Sequence, residues 1–243
     1  MRLNAIHTTF LLMKTAFYTV RTCIKTIFKS INRTLTAQWC DEELQRWIGH
    51  VLKVIQVQYT IINPNHVTPQ PGVPTIIMCN HTSLFDIPIS YTVFPHISLR
   101  MLAKKELFNI PFFGKAMTLA KFPCINRHNR KQAIQDLQIV EGMLKSGIVM
   151  WIAPEGTRSL DGKLGPLKKG GMITAINTHA TIIPIGIRGA NKILPAKTFK
   201  LSLGQPIEVH VGKPIDTNRF TLNQKDQLRQ LVSQEMKKLV GDQ

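Results

Sequence analysis

Two ionisable side chains, His81 and Asp86, stand five residues apart in "CNHTSLFD" (79–86), directly after the apolar run "VPTIIM". Neutral imidazole accepts a proton near pH 7, which makes His81 the best general base in the chain. A carboxylate that reaches one ring nitrogen fixes the tautomer and stabilises the imidazolium that forms. If a strand ends at Cys79 and a helix begins near Thr82, Asp86 lies about one turn into that helix and reaches back to the ring. Ser83 and Thr82 bring a Ser–His–Asp triad to mind. The chain has no G-x-S-x-G elbow, and Ser83 is only two residues from His81. The dyad is therefore expected to activate a hydroxyl of the substrate. A plainer reading stands beside it: Asn80 or Thr82 caps a helix, and His81 is a satisfied loop side chain.

A second motif, "PEGTRS" (154–159), sets Glu155 and Arg158 around a Gly156–Thr157 turn. The planar fork of arginine suits phosphate oxygens. "GKLGPLKKGG" (162–171) follows, a mobile-looking loop with Lys163, Lys168 and Lys169. Alone, this motif would also fit a solvated turn with a local Glu155–Arg158 pair.

The elements that must position these residues alternate. "VQYTIIN" (57–63), "TIIMC" (75–79), "ISLRMLAK" (97–104), "IVMWIAP" (148–154), "ATIIPIGIRG" (180–189) and "QPIEVHVGKPI" (205–215) read as strands. Residues 130–147 place Ile134, Leu137, Val140 and Leu144 at helical spacing, and Gly147 stops them. A helix closes the chain over 222–240. This pattern predicts an α/β fold with a central, mostly parallel sheet flanked by helices. In such sheets, sites gather where loops leave the C-terminal ends of strands, and both motifs leave strands in that way.

Of the 243 residues, 31 are Lys or Arg and 14 are Asp or Glu, a formal charge of +17. Such a field favours nucleic acid, an anionic membrane or a phosphorylated substrate. No nucleic-acid motif or aromatic-interleaved basic stripe is present, so a basic nucleic-acid-binding protein is only a remote alternative. The excess is densest over residues 1–40, where Arg2, Lys14, Arg21, Lys25, Lys29 and Arg33 stand without one acid. Phe17, Val20, Ile24, Ile27, Phe28, Ile31 and Leu35 follow helical spacing in the same stretch. The charges interrupt any 18-residue apolar run and continue where a signal peptide would have none. An amphipathic helix lying in the headgroup zone is expected, as part of a two-helix membrane-binding element over 1–56. A core-packed helix with a solvated face is the alternative. The second helix, about 38–56, carries Trp39 and Trp47. Residues 57–243 then form the catalytic domain. Cys23, Cys40, Cys79 and Cys124 show no zinc-like spacing and read as free thiols; no metal site is expected.

Together the motifs resemble the glycerolipid acyltransferase family, in particular its 1-acyl-sn-glycerol-3-phosphate (lysophosphatidate) acyltransferases. His81 and Asp86 match N-H-x-x-x-x-D. "KKELFNIPFFGKAMTLAKFPCINR" (104–127) resembles a second block, "PEGTRS" a third and "IIPIGIRG" (182–189) a fourth. Ala153 departs from the pattern, which usually has an aromatic there. The resemblance implies direct transfer from acyl-CoA or acyl-carrier protein, as co-substrate and without a cofactor, to the sn-2 hydroxyl of lysophosphatidate. His81 would be the base and Asp86 its orienter. Glu155, Gly156, Thr157 and Arg158, with Arg127 and Lys105, would bind the substrate phosphate. Glycerol 3-phosphate, another lysophospholipid or a lyso-aminolipid is the alternative acceptor. The resemblance also implies attachment to an anionic membrane surface, the cytoplasmic face of a bacterial inner membrane.

Overall fold

The computed structural model describes residues 3–242; Met1, Arg2 and Gln243 lie outside them. In chain order come α1 (Ala5–Ile31), α2 (Ala37–Val54), β1 (Gln58–Ile62), β2 (Thr75–Cys79), α3 (Asp86–Tyr91), β3 (Leu99–Met101), β4 (Ala103–Lys104), α4 (Phe113–Leu119), β5 (Cys124–Ile125), α5 (Arg130–Lys145), β6 (Val149–Ile152), α6 (Gly170–Thr178), β7 (Thr181–Arg188), α7 (Ala190–Ile193), β8 (Pro206–Val211), β9 (Ile215–Asp216) and α8 (Lys225–Val240). A 3-10 turn, Lys105–Asn109, follows β4.

The main sheet runs β1-β8-β7-β2-β6-β3, with β9 on β7. All neighbours along that path are parallel except β7 and β8. The fold is thus the expected α/β type with a mostly parallel sheet. Every residue of β2 and β6 is buried, because helices cover both faces. Side chains alternate between the two cores. Ile77, Cys79 and Trp151 pack with Ile48, Val51 and Val54 of α2 and Ile89 of α3. Ile76, Met78 and Met150 pack with Val140 of α5, Met172 of α6 and Val232 of α8.

Three expectations change. "ISLRMLAK" is two strands: the Leu102 N–H bonds Trp151 of β6, the Ala103 N–H bonds Pro123, and the chain leaves the main sheet for a β4–β5 ribbon. "QPIEVHVGKPI" likewise breaks into β8 and β9 at Gly212–Pro214. The end of the 162–171 loop is already α6, which begins at Gly170.

α2 shares the larger core with β2 and β7, so position 56 marks a change of sequence texture and not a gap in packing. Its Asp41 reaches the buried Arg100 at 2.6 Å. α1 lies on α2 through a polar seam. The Trp47 indole N–H donates to Thr19 (3.0 Å), and Thr22 and Lys25 donate to the buried Glu43. Burial opposes the Glu43 charge, but the bonds from Lys25 and Arg46 prevail and hold its carboxyl below the usual range. The opposite face of α1 exposes Ile6, Phe10, Met13, Phe17, Val20, Ile24, Phe28 and Ile31, spaced three and four apart. Most of the expected stripe is therefore present, turned outward and longer toward the N-terminus, but Ile27 is half-buried. Lys25 is turned inward to Glu43, and Leu35 lies beyond the helix. Among the described residues no helix is long and apolar enough to cross a membrane.

Candidate active site

β2 delivers His81 to the C-terminal edge of the sheet. Asn80 fixes the exit: its buried carboxamide accepts from the Ile187 N–H (2.8 Å) and donates to the Ile187 carbonyl (2.9 Å), continuing the β2–β7 ladder with a side chain. Asn80 is therefore a sheet clamp and not a helix cap. α3 begins at Asp86 itself, not near Thr82. The tight turn before it brings three donors to one carboxylate oxygen. Asp86 Oδ2 accepts from the Thr82 N–H (2.6 Å), the Ser83 N–H (2.8 Å) and His81 Nδ1 (2.9 Å). With a carboxylate as its partner, Nδ1 must carry the hydrogen in neutral imidazole, which leaves Nε2 with its lone pair. Nε2 makes no hydrogen bond among the described residues, and the side chain is 17% exposed. This is the arrangement of a base waiting for a substrate proton.

Ser83 is not a nucleophile in this geometry. It is fully buried, and its hydroxyl donates to the Leu194 carbonyl at 2.9 Å.

The second motif closes around the first. β6 ends at Ile152, and Gly156 adopts φ +75°, a conformation glycine takes without strain. Glu155 is buried, and both its oxygens accept main-chain N–H groups, Oε1 from His81 (2.9 Å) and Oε2 from Gly165 (2.8 Å). Desolvation by burial raises its pKa, which the two N–H groups partly offset. The Ser159 N–H donates to the His81 carbonyl at 2.7 Å. The loop thus grips the main chain of His81 from both sides. Glu155 is turned toward this scaffold, with no salt bridge to Arg158. Ala153 sits half-buried against the larger core.

Arg158 is half-buried and has no hydrogen bond or ion pair among the described residues. Thr157 is exposed beside it. The Arg127 guanidinium donates to the Gly156 carbonyl, so the second and third blocks meet directly. Lys105 is exposed, with no hydrogen bond or ion pair among the described residues; Lys104 lies opposite Ile125 in the β4–β5 ribbon, which brings Lys105 close to the Arg127 segment. The 162–169 loop is better tethered than its composition suggests. The Lys168 N–H donates to Pro154, the Leu164 N–H to Asp242, and Lys169 pairs with Asp226 at 3.0 Å. Ser159 and Gly165 act through their main-chain N–H groups and Asn80 through a partner 107 positions away, which residue type alone does not disclose.

Comparison with known proteins points the same way. The family model described as Acyltransferase matches residues 58–188. A chloroplastic 1-acyl-sn-glycerol-3-phosphate acyltransferase of Brassica napus is 32% identical over 148 residues, 60% of this chain and 42% of the relative. A protein of the same name from Chlamydomonas reinhardtii is 34% identical over 75% of this chain and 54% of its own. One from Saccharomyces cerevisiae is 28% identical over 85% of this chain and 67% of its own. The chain thus spans about half the length or less of the first relatives it matches. The crystal structure of the 1-acyl-sn-glycerophosphate acyltransferase of Thermotoga maritima superposes with a TM-score of 0.78 at 22% identity, over 97% of this chain and 93% of that one.

Proposed function

Because this chain belongs to the acyltransferase family, we propose that it moves an acyl group from an acyl thioester to the sn-2 hydroxyl of lysophosphatidate, giving phosphatidate for phospholipid synthesis. The observation that carries the reading is the free Nε2 of His81, with Nδ1 locked on Asp86, close to Arg158, whose guanidinium makes no ion pair among the described residues. The names of the relatives supply the acceptor.

In this mechanism Nε2 takes the hydroxyl proton as the oxygen attacks the thioester carbonyl carbon. The tetrahedral intermediate collapses with cleavage of the carbon–sulfur bond, and the imidazolium returns the proton to the leaving thiolate. Asp86 stabilises the imidazolium between these steps. Arg158, Arg127, Lys105 and the Gly156–Thr157 turn hold the phosphate; Glu155 keeps the loop that carries Arg158 beside His81. The donor is the thioester of coenzyme A or of acyl-carrier protein. The outward stripe of α1 would rest on an anionic leaflet, since exposed apolar surface of that extent calls for an apolar partner.

The test is an assay of purified protein with lysophosphatidate and each donor, following free thiol and phosphatidate. Equimolar release is expected. Faster acylation of glycerol 3-phosphate, or of a lysophospholipid without a phosphomonoester, would move the activity to the alternative acceptor.

A further inference from the structure

Behind His81 the structure closes a circuit of four residues on α3, β6 and the loop that leaves β2. The Trp151 indole N–H donates to Ser90 Oγ at 2.9 Å. Ser90 Oγ donates to the main-chain carbonyl of Asp86 at 2.7 Å. Asp86 Oδ2 accepts from His81 Nδ1. The His81 ring returns to Trp151, centroid to centroid 5.9 Å, with the two planes at 85°. Trp151 and Ser90 are 3% and 1% exposed.

A buried tryptophan on a central strand is ordinarily a core residue whose N–H takes any acceptor at hand. Here the acceptor is specific. A serine hydroxyl has one proton; that of Ser90 meets the Asp86 carbonyl at 2.7 Å, with Cys79 Sγ a weaker acceptor at 3.9 Å, so its lone pairs are what Trp151 can meet. Both bonds together fix the rotor. Asp86 needs such fixing, because it holds its partners through Oδ2 alone; Oδ1 is buried with none among the described residues. A small rotation of α3 would detach three donors at once. The perpendicular ring contact restricts His81 from its other side, at a separation where aromatic pairs attract and where a cationic ring is held near the indole.

We propose that Trp151 and Ser90 are positioning residues for the His81–Asp86 pair, acting as one unit that sets the direction of Nε2. The kinetic part of the proposal rests on the acyl-transfer reading; the structural part does not.

The experiment uses the full chain and four variants: Trp151→Phe, which keeps a ring but not the N–H, Trp151→Leu, Ser90→Ala, and the Trp151→Phe/Ser90→Ala pair. Trp151→Phe and Ser90→Ala should each lower kcat about three- to tenfold with both KM values unchanged. The pair should be no worse than either, because one circuit is broken once. Independently of substrate, the Nδ1 proton of His81 should give a downfield NMR resonance, assigned by its loss in His81→Gln. It should persist in Ser90→Ala with faster solvent exchange and vanish in Trp151→Leu. Multiplying kcat losses in the pair, or an unaltered resonance in all variants, would overturn the proposal. Should Trp151→Leu not fold, Ser90→Ala and Trp151→Phe decide it. An inactive wild type would count against the acyl-transfer reading, and the resonance would then decide the circuit.

Discussion

The carboxylate of Glu155 and the main-chain N–H of His81 are joined by a 2.9 Å hydrogen bond, across 74 positions of sequence. The acidic residue of one motif thus holds the backbone of the base in the other, while its second oxygen holds Gly165.

Glutamine cannot reproduce this clamp, because it has one acceptor oxygen where two N–H groups need one each. Glu155→Gln should therefore lower kcat without a selective rise in the acceptor KM. Its pH dependence carries a sign. Burial raises the folded pKa of Glu155, so its contribution to stability is fully present below the ordinary glutamate pKa and is lost as pH rises through the folded value. The Tm difference between wild type and Glu155→Gln should then be largest in acid and shrink across that window. Thermal unfolding of both proteins over a pH series reads it; parallel curves would mean that Glu155 is not ionising in the clamp.

His81→Ala should lower turnover by about 10²–10⁴-fold, the usual worth of a positioned base. Ser83→Ala should keep most of the activity and lower stability by about 1 kcal/mol, through loss of the bond to Leu194. Steady-state rates and denaturant midpoints on both variants separate the roles. An active His81→Ala beside a dead Ser83→Ala would reverse the mechanism.

Arg158→Ala should mainly raise the KM for the phosphorylated acceptor. Arg158→Lys should restore it only in part, because the planar fork is lost. An unchanged acceptor KM with an altered donor KM would move Arg158 to the thioester side.

Much of this site was legible because its chemistry is local. His81 and Asp86 are five residues apart, and a buried strand ending at Cys79 can be read from five consecutive apolar-rich positions. The part that was not legible is long-range. Nothing in "PEGTRS" says that its acid turns inward to a backbone N–H rather than toward Arg158 or a ligand. Asn80 reads as a cap because asparagine commonly is one; only the register of β2 on β7 makes Ile187 its partner. The start of α6 reads as loop because Gly170 and Gly171 extend the signature of one. On α1 the spacing gave the stripe, but its outward direction depends on the seam that Glu43 and Trp47 offer to the opposite face.

That seam decides how the membrane contact should be tested. Deleting residues 1–35 would also uncover the buried Glu43 and remove the partner of Trp47, so a loss of function could be mere destabilisation. Exchanging exposed stripe residues leaves the seam intact. Phe10, Phe17 and Ile24 are each more than half exposed and lie on one side of α1. Phe10→Ser/Phe17→Ser/Ile24→Ser should keep the Tm within a few degrees, since none of the three is in the core. Burial of these side chains in a bilayer is worth about 4 kcal/mol or more together, roughly a thousandfold in partition. The triple variant should therefore leave vesicles that retain the wild type, and lose activity on bilayer-presented lysophosphatidate. Activity on a short-chain, water-soluble acceptor should persist, because His81 and Arg158 are untouched. High salt should weaken wild-type binding to anionic vesicles without abolishing it, as exposed Lys14 and Arg21 contribute only the screened part. Co-sedimentation with and without salt, run beside both assays, reads all of this. A triple variant that pellets like the wild type would place the membrane contact elsewhere on the basic surface. A wild type that dimerises in solution where the triple variant stays monomeric would give the stripe to a second copy of the chain.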